Sequence, residues 1–230
     1  MEALSGIPIY VISLPGSNRR PWMERILTRA GLAFSFWDAC DPGSLSGKLT
    51  DTARFFEGDM LEYIDSKPGT VCCALSHVLL WRHLHSNATL AGSAIVLEDD
   101  VAIEPDFLEK VQPFLSGLPP DFHMFFLAGW PYDSRFFLGQ RRINRYLAKL
   151  TNFGLHSTAA YLINISLIPG LLKVLIPFTT EIDVHIAYRS DDLNVYLPAV
   201  RPRLCTCQIF ENSERGVQDE KPSTSAGSST

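Results

Sequence analysis

The 230-residue chain has no apolar run close to the roughly 20 residues needed to cross a bilayer as a helix. A basic excess is missing as well: 20 Lys and Arg stand against 25 Asp and Glu, a net charge of -5. That balance lacks the general electrostatic footprint of a nucleic-acid binder, so any phosphate must be met by local groups. Cysteine is sparse and oddly placed, at positions 40, 72, 73, 205 and 207. An odd count with adjacent and alternate spacing suits neither a disulfide framework nor a spaced CxxC zinc site, and a reducing compartment is the simpler expectation. The first residues carry no basic stretch, long apolar core and small-residue cleavage site of a secretory signal. No internal repeat is visible. What the chain does have is 46% hydrophobic residues, enough for one sizeable core. These features lead us to expect a soluble, cytoplasmic protein.

The apolar, β-branched run Ile7 to Leu14 ends at Pro15 and Gly16 and reads as a buried strand followed by a turn. Trp22, Ile26 and Ala30 then share one helical face, with Gly31 as a stop, over a helix from Pro21 to Ala30. The loop between them carries Arg19 and Arg20 where a strand end opens toward ligand. Residues 40 to 69 are rich in Gly, Asp, Ser and Pro and read as a long irregular excursion. Thr70 to His85 has helical periodicity with apolar residues on most sides. Ala94 to Leu97 is a second strand, and Asp106 to Leu115 a helix. Further strands are expected over 122–129, 157–164, 193–200 and 203–210, with a helix from Ser166 to Leu175. Strands alternating with helices predict an α/β fold with a mostly parallel central sheet, although the later, closely spaced strands are also compatible with antiparallel pairing. One domain over 1–215 and a polar, disordered tail over 216–230 follow.

The second strand ends in three consecutive acids, Glu98, Asp99 and Asp100. Adjacent carboxylates repel one another and persist only in open water or against something positive. If the strand is buried, they lie at its carboxyl end, where ligands bind in open α/β sheets, and alternation sends Glu98 and Asp100 to one side. Two such carboxylates suit a hard divalent ion. A solvated turn leading into a helix is the equally open alternative.

The segments IYVISL…RRPWM, CALSHVLLW, AIVLEDDV, TAAYLI and EID, in that order, resemble glycosyltransferase family 25, the lipooligosaccharide galactosyltransferases and their collagen-modifying relatives, over roughly residues 7 to 210. The pairing of LSH with a following LEDD is the specific part. The resemblance implies a GT-A-like fold, a UDP-sugar donor with galactose as the simplest sugar, and Mn²⁺ or Mg²⁺ on the acidic motif. By position, Asp100 and then Glu98 are the metal ligands, and Asp99 contacts ribose or donor sugar. Ile12 and Ser13 lie beside the uracil, Arg20 neutralises phosphate, and His77 belongs to the donor site. The resemblance further implies inversion at the anomeric carbon, with Asp183 as the base matching the family's later acid and Glu181, Asp191 and Asp192 as rivals.

The chain departs from the family pattern at Ser13, Thr70, Cys72 and Ser157; the last stands where relatives carry a glycine. Hence a second function class stays open, a non-catalytic relative that binds nucleotide-sugar or a protein partner. Tyr161 reads as a core aromatic, and Trp130 with Pro131 as acceptor wall or core closure. The basic, aromatic stretch around Arg141, Arg142, Arg145 and Tyr146 reads as a solvated amphipathic helix, or as a lid or contact to anionic acceptor or lipid headgroups, which would place the protein at the inner face of a membrane. The acceptor is expected to be a glycan or glycolipid.

Overall fold

The computed structural model describes residues 6–43, 53–90, 92–104, 106–128, 140–151, 155, 157–199 and 204–207. The tail from 216 and the pair Trp130 and Pro131 lie outside them. The elements in chain order are β1 (Ile9–Ser13), α1 (Arg20–Arg29), β2 (Ser35–Asp38), a 3₁₀ turn at Ala53–Phe55, α2 (Asp59–Ser66) and α3 (Pro68–Ser86). There follow β3 (Ser93–Glu98), β4 (Val101–Ile103), α4 (Phe107–Ser116), β5 (Met124–Ala128), β6 (Gln140–Arg142) and β7 (Leu147–Leu150). The last are β8 (Ala160–Asn164), α5 (Ile168–Leu175), α6 (Ile182–Tyr188), β9 (Val195–Pro198) and β10 (Cys205–Cys207).

Eight strands form one sheet in the order β2-β1-β3-β8-β5-β9-β7-β6, and β4 pairs with β10 in a small ribbon. Helices cover both faces. Alternation along the strands divides the core: Val96, Phe126, Tyr161 and Ile163 meet α3, α5 and α6 on one face, while Val11, Ile95, Phe125 and Leu162 meet α1 and α4 on the other. Period-2 strands buried on both faces read as continuous apolar runs, as they do here. The α/β architecture is therefore observed, but the sheet is mixed rather than mostly parallel. β2, β1 and β3 run parallel, as do β5 and β9; β8 enters antiparallel between β3 and β5, and β6, β7 and β9 pair antiparallel. The parallel pairs are joined through crossovers long enough to carry a helix, whereas β6 and β7 are separated by four residues, which permits only a hairpin.

Several expectations shift in detail. The irregular stretch 40–69 contains α2, whose buried Met60 packs into the core, with Gly58 at φ 55 making the entry turn. β2 was not anticipated, because SFWD is half-exposed on a sheet edge and has little apolar signal. The basic stretch is an edge hairpin instead of an amphipathic helix: Asn144 accepts N–H bonds from Tyr146 and Leu147 through its side-chain oxygen and closes the turn. α3 is buried on most sides, as expected, from Val71 to Leu84.

Two histidines are held below their ordinary pKa of 6.5, mainly by burial. His123 accepts the Asn194 N–H through Nδ1 at 3.1 Å, and His185 lies against Phe178 with Arg189 adding to the depression. A depressed folded-state pKa means that the unfolded chain takes up the proton first, so the stability contribution is complete above 6.5 and lost as pH falls through the lowered values. Urea unfolding should show stability declining as pH drops below 6.5, with a shallower decline in His185→Gln. A stability that rises on acidification through that window would contradict the assignment.

Candidate functional site

β1, β2 and β3 all end on one edge of the sheet, and because β8 is antiparallel its entry segment, Ser157 to Ala160, lies on that same edge beside Leu97 and Glu98. Ser13, Asp38 and Glu98 are thus brought together by register: Ile12 pairs with Glu98, and Ser13 with Asp38.

The three acids have separate surroundings. Asp99 is buried, and its carboxylate accepts from Ser13 Oγ at 2.7 Å, Ser17 Oγ at 3.2 Å and Arg19 Nη1 at 3.0 Å. The β1–α1 loop therefore supplies both the hydroxyls and the cation that offset this charge. Arg20 turns the other way, donating to the Ser13 carbonyl at 2.8 Å and to Asp38 at 2.5 Å, with its guanidinium over the Phe36 ring. Asp100 is half-buried in the turn between β3 and β4.

Glu98 faces α3. Its Oε1 accepts from Thr158 Oγ1 at 2.8 Å and lies 3.3 Å from His77 Nε2. Behind His77, Nδ1 is 2.8 Å from the Tyr161 hydroxyl, which also receives the Trp81 indole N–H at 2.8 Å. Burial holds the Tyr161 hydroxyl protonated, its pKa well above the ordinary value of 10.0. Trp81 can only donate, so the arrangement that satisfies every buried donor sends the Tyr161 proton to Nδ1 and the His77 Nε2 proton to Glu98. Trp81, Tyr161 and His77 form a buried relay that aims a donor at the carboxylate.

Next to Glu98 is a cavity of about 200 Å³ lined by Thr70, Cys73, Ser157, Thr158, Glu181, Ile182 and Asp183. Asp183, in the first turn of α6, accepts the Ser157 N–H at 2.7 Å and the Val184 N–H at 2.9 Å. Ser157 has φ 89, the left-handed region that favours glycine. Here a serine accepts the strain, and its Oγ takes the Ala159 N–H at 3.1 Å.

Cys73, His77 and Glu98 offer ligand atoms within 4.8 Å of one another. A thiolate, an imidazole and one carboxylate are a zinc-like donor set and a poor match to Mn²⁺ or Mg²⁺, and the relay already commits His77 Nε2 to donating. Carboxylate oxygens of Asp100 and Glu98 are the hard donors that fit those ions. The expected donor-site residues Ile12, Ser13, Arg20, His77, Glu98, Asp99 and Asp100 thus gather on one edge, with Asp183 across the cavity. Sequence reading placed Arg19, with Arg20, in the loop after β1 where the strand end opens toward ligand, but not as a partner of Asp99, and it did not single out Ser17, Thr158 or Trp81.

The family described as Glycosyltransferase family 25 (LPS biosynthesis protein) matches residues 6–186. No curated protein matches the chain. Among solved structures, a glycosyltransferase involved in glycosylation of the major capsid of PBCV-1 is similar at 9% identity and a TM-score of 0.36, over 74% of this chain and 66% of that one. Mouse xyloside xylosyltransferase 1, in its apo form, is similar at 14% identity and a TM-score of 0.36, over 81% of this chain and 66% of that one. The chain thus spans 66% of the length of each.

Tyr161→Phe removes both the acceptor for Trp81 and the donor to His77, and should cost about 1–3 kcal/mol of folding stability by urea titration. A change of only a few tenths would remove the relay from the account. At the strained turn, Ser157→Ala keeps the positive φ but loses the Oγ bond and should cost about 1 kcal/mol, whereas Ser157→Gly trades that bond for relief of strain and should be nearly neutral. Equal losses in both variants would contradict the turn geometry.

Proposed function

Because the chain belongs to glycosyltransferase family 25, we propose that it transfers a hexose, most simply galactose, from a UDP-sugar to a hydroxyl of a lipooligosaccharide or another surface-glycan acceptor. The observation that carries this reading is the meeting of the Glu98–Asp100 carboxylates at the strand ends with a cavity whose far wall holds Asp183. Thr158 belongs to both, donating to Glu98 and lining the cavity.

In this reading Asp100 and Glu98 hold Mn²⁺ or Mg²⁺, which when bound offsets the negative charge that develops on the departing UDP. Asp99 is fixed by Ser13, Ser17 and Arg19 and keeps the β1 end, with Ile12 and Ser13, in place beside the base and ribose. Arg20 lies at the same edge for the diphosphate. A sugar hydroxyl is a poor nucleophile while it keeps its proton, and Asp183 is the base that accepts it during a single inverting displacement. Its two backbone N–H bonds set the carboxylate's orientation and leave lone pairs on both oxygens for the acceptor.

No described helix is long and apolar enough to cross a membrane. The edge hairpin exposes Arg141, Arg142 and Arg145 together with Ile143 at its turn, a combination suited to anionic headgroups of a glycolipid acceptor at the inner membrane face.

UDP release from a panel of UDP-sugars tests the reading. One donor should turn over with Mn²⁺ and not with EDTA, and Asp100→Ala should lose the metal-dependent rate. Asp183→Asn should lower transfer by about 10²-fold or more while UDP still binds. Metal-dependent UDP binding with no turnover of any donor in the presence of acceptor glycans would favour the non-catalytic relative instead.

A further inference from the structure

Two cysteines, one just beyond β2 and one in α3, are close enough to react with each other. Cys72, buried in α3, directs its thiol at Cys40, just beyond β2, with the sulfurs 3.1 Å apart. The backbone on both sides is already held in place for this contact: the Cys40 N–H donates to Ser76 Oγ at 2.8 Å, and Ser76 Oγ donates to the Cys72 carbonyl at 2.6 Å. Cys73, one position along the helix, is rotated by about 100° and lines the cavity instead. We propose that Cys40 and Cys72 form a reversible disulfide that ties the exit of β2 to α3, formed by exchange with a low-molecular-weight disulfide of the glutathione class.

The order of events follows from exposure. Cys40 is half-buried and within reach of a small oxidant, while Cys72 is fully buried. The hydrogen bond to Cys40, followed by burial, holds the Cys72 thiol protonated well above its ordinary range. Cys40 therefore attacks first as thiolate, forming a mixed disulfide and releasing one small thiolate that leaves as the thiol. That step leaves Cys40 Sγ as one half of a mixed disulfide, in contact with the Cys72 thiol. Cys72 then gives its proton to solvent and attacks Cys40 Sγ, expelling the second small thiolate. In balance, two cysteine thiols are oxidised to one disulfide and one small disulfide is reduced to two thiols.

The bridge would join Cys40, two residues beyond the Arg20 partner Asp38, to a helix position five residues before His77. It would thereby couple the walls of the site to the redox state of the solution, and it needs neither donor binding nor turnover for its detection.

Reduced full-length protein is incubated under native conditions with oxidised glutathione, alkylated and peptide-mapped. The expected result is a Cys40–Cys72 linked peptide, reversed by dithiothreitol, together with a rise in Tm of roughly 5–10 °C. Cys73→Ser should retain both effects and Cys72→Ala should lose both. Glutathione remaining on Cys40 without a bridge, a bridge through Cys73, or an unchanged Tm on bridging would each overturn the proposal, and the wild-type map decides even if a variant fails to fold.

Discussion

Three adjacent carboxylates at the end of a buried strand are tolerable only if each is given a different compensating environment. Asp99 is drawn toward β1, where two hydroxyls and the Arg19 guanidinium meet it in a largely dry setting. Glu98 is drawn toward α3, where Thr158 and the His77 relay meet it. Asp100 is half-buried in the β3–β4 turn, apart from both of these settings. Removing one partner of such a buried, hydrogen-bonded charge costs more than the pair itself contributes, which makes the β1–α1 loop and α3 parts of the site as well as of the fold.

The same separation arranges the edge for chemistry. Antiparallel insertion of β8 between β3 and β5 places Thr158 against Glu98 and Ser157 against Asp183. One short segment thus connects the acidic strand end to α6, and its positive-φ residue sets the turn that makes both contacts. Had β8 run parallel to β3, its entry would have lain on the opposite edge and the cavity would have had no such wall.

Much of this was legible from residue patterns. β1, α1, α3, β3, α4 and α5 announce themselves by period and by stops such as Gly31, whose φ of 69 is the left-handed conformation a helix end favours. That Glu98 and Asp100 share one edge follows from the strand end and alternation, whereas Ser13 and His77 were expected there from the family resemblance. Less legible were elements whose signal is tertiary: β2 on an edge, α2 inside a Gly- and Pro-rich stretch, and the hairpin of β6 and β7. Strand direction was under-determined because pairing depends on contacts far apart in sequence. The relay was hidden for a similar reason, since Trp81 and Tyr161 are 80 residues apart and each alone reads as core. Cysteine spacing was equally uninformative about Cys40 and Cys72, which are 32 residues apart in sequence yet in sulfur contact.

The central claim is that the β3 carboxylates form a hard-metal, nucleotide-sugar site and that Cys73 and His77 serve other ends. Anomalous diffraction from crystals soaked with Mn²⁺ and UDP tests it most directly. The account predicts a manganese peak coordinated by Asp100 and Glu98 oxygens, with the diphosphate beside it and the uracil near Ile12 and Ser13. A peak on Cys73 and His77, or UDP bound away from the β1 and β3 ends, would contradict it.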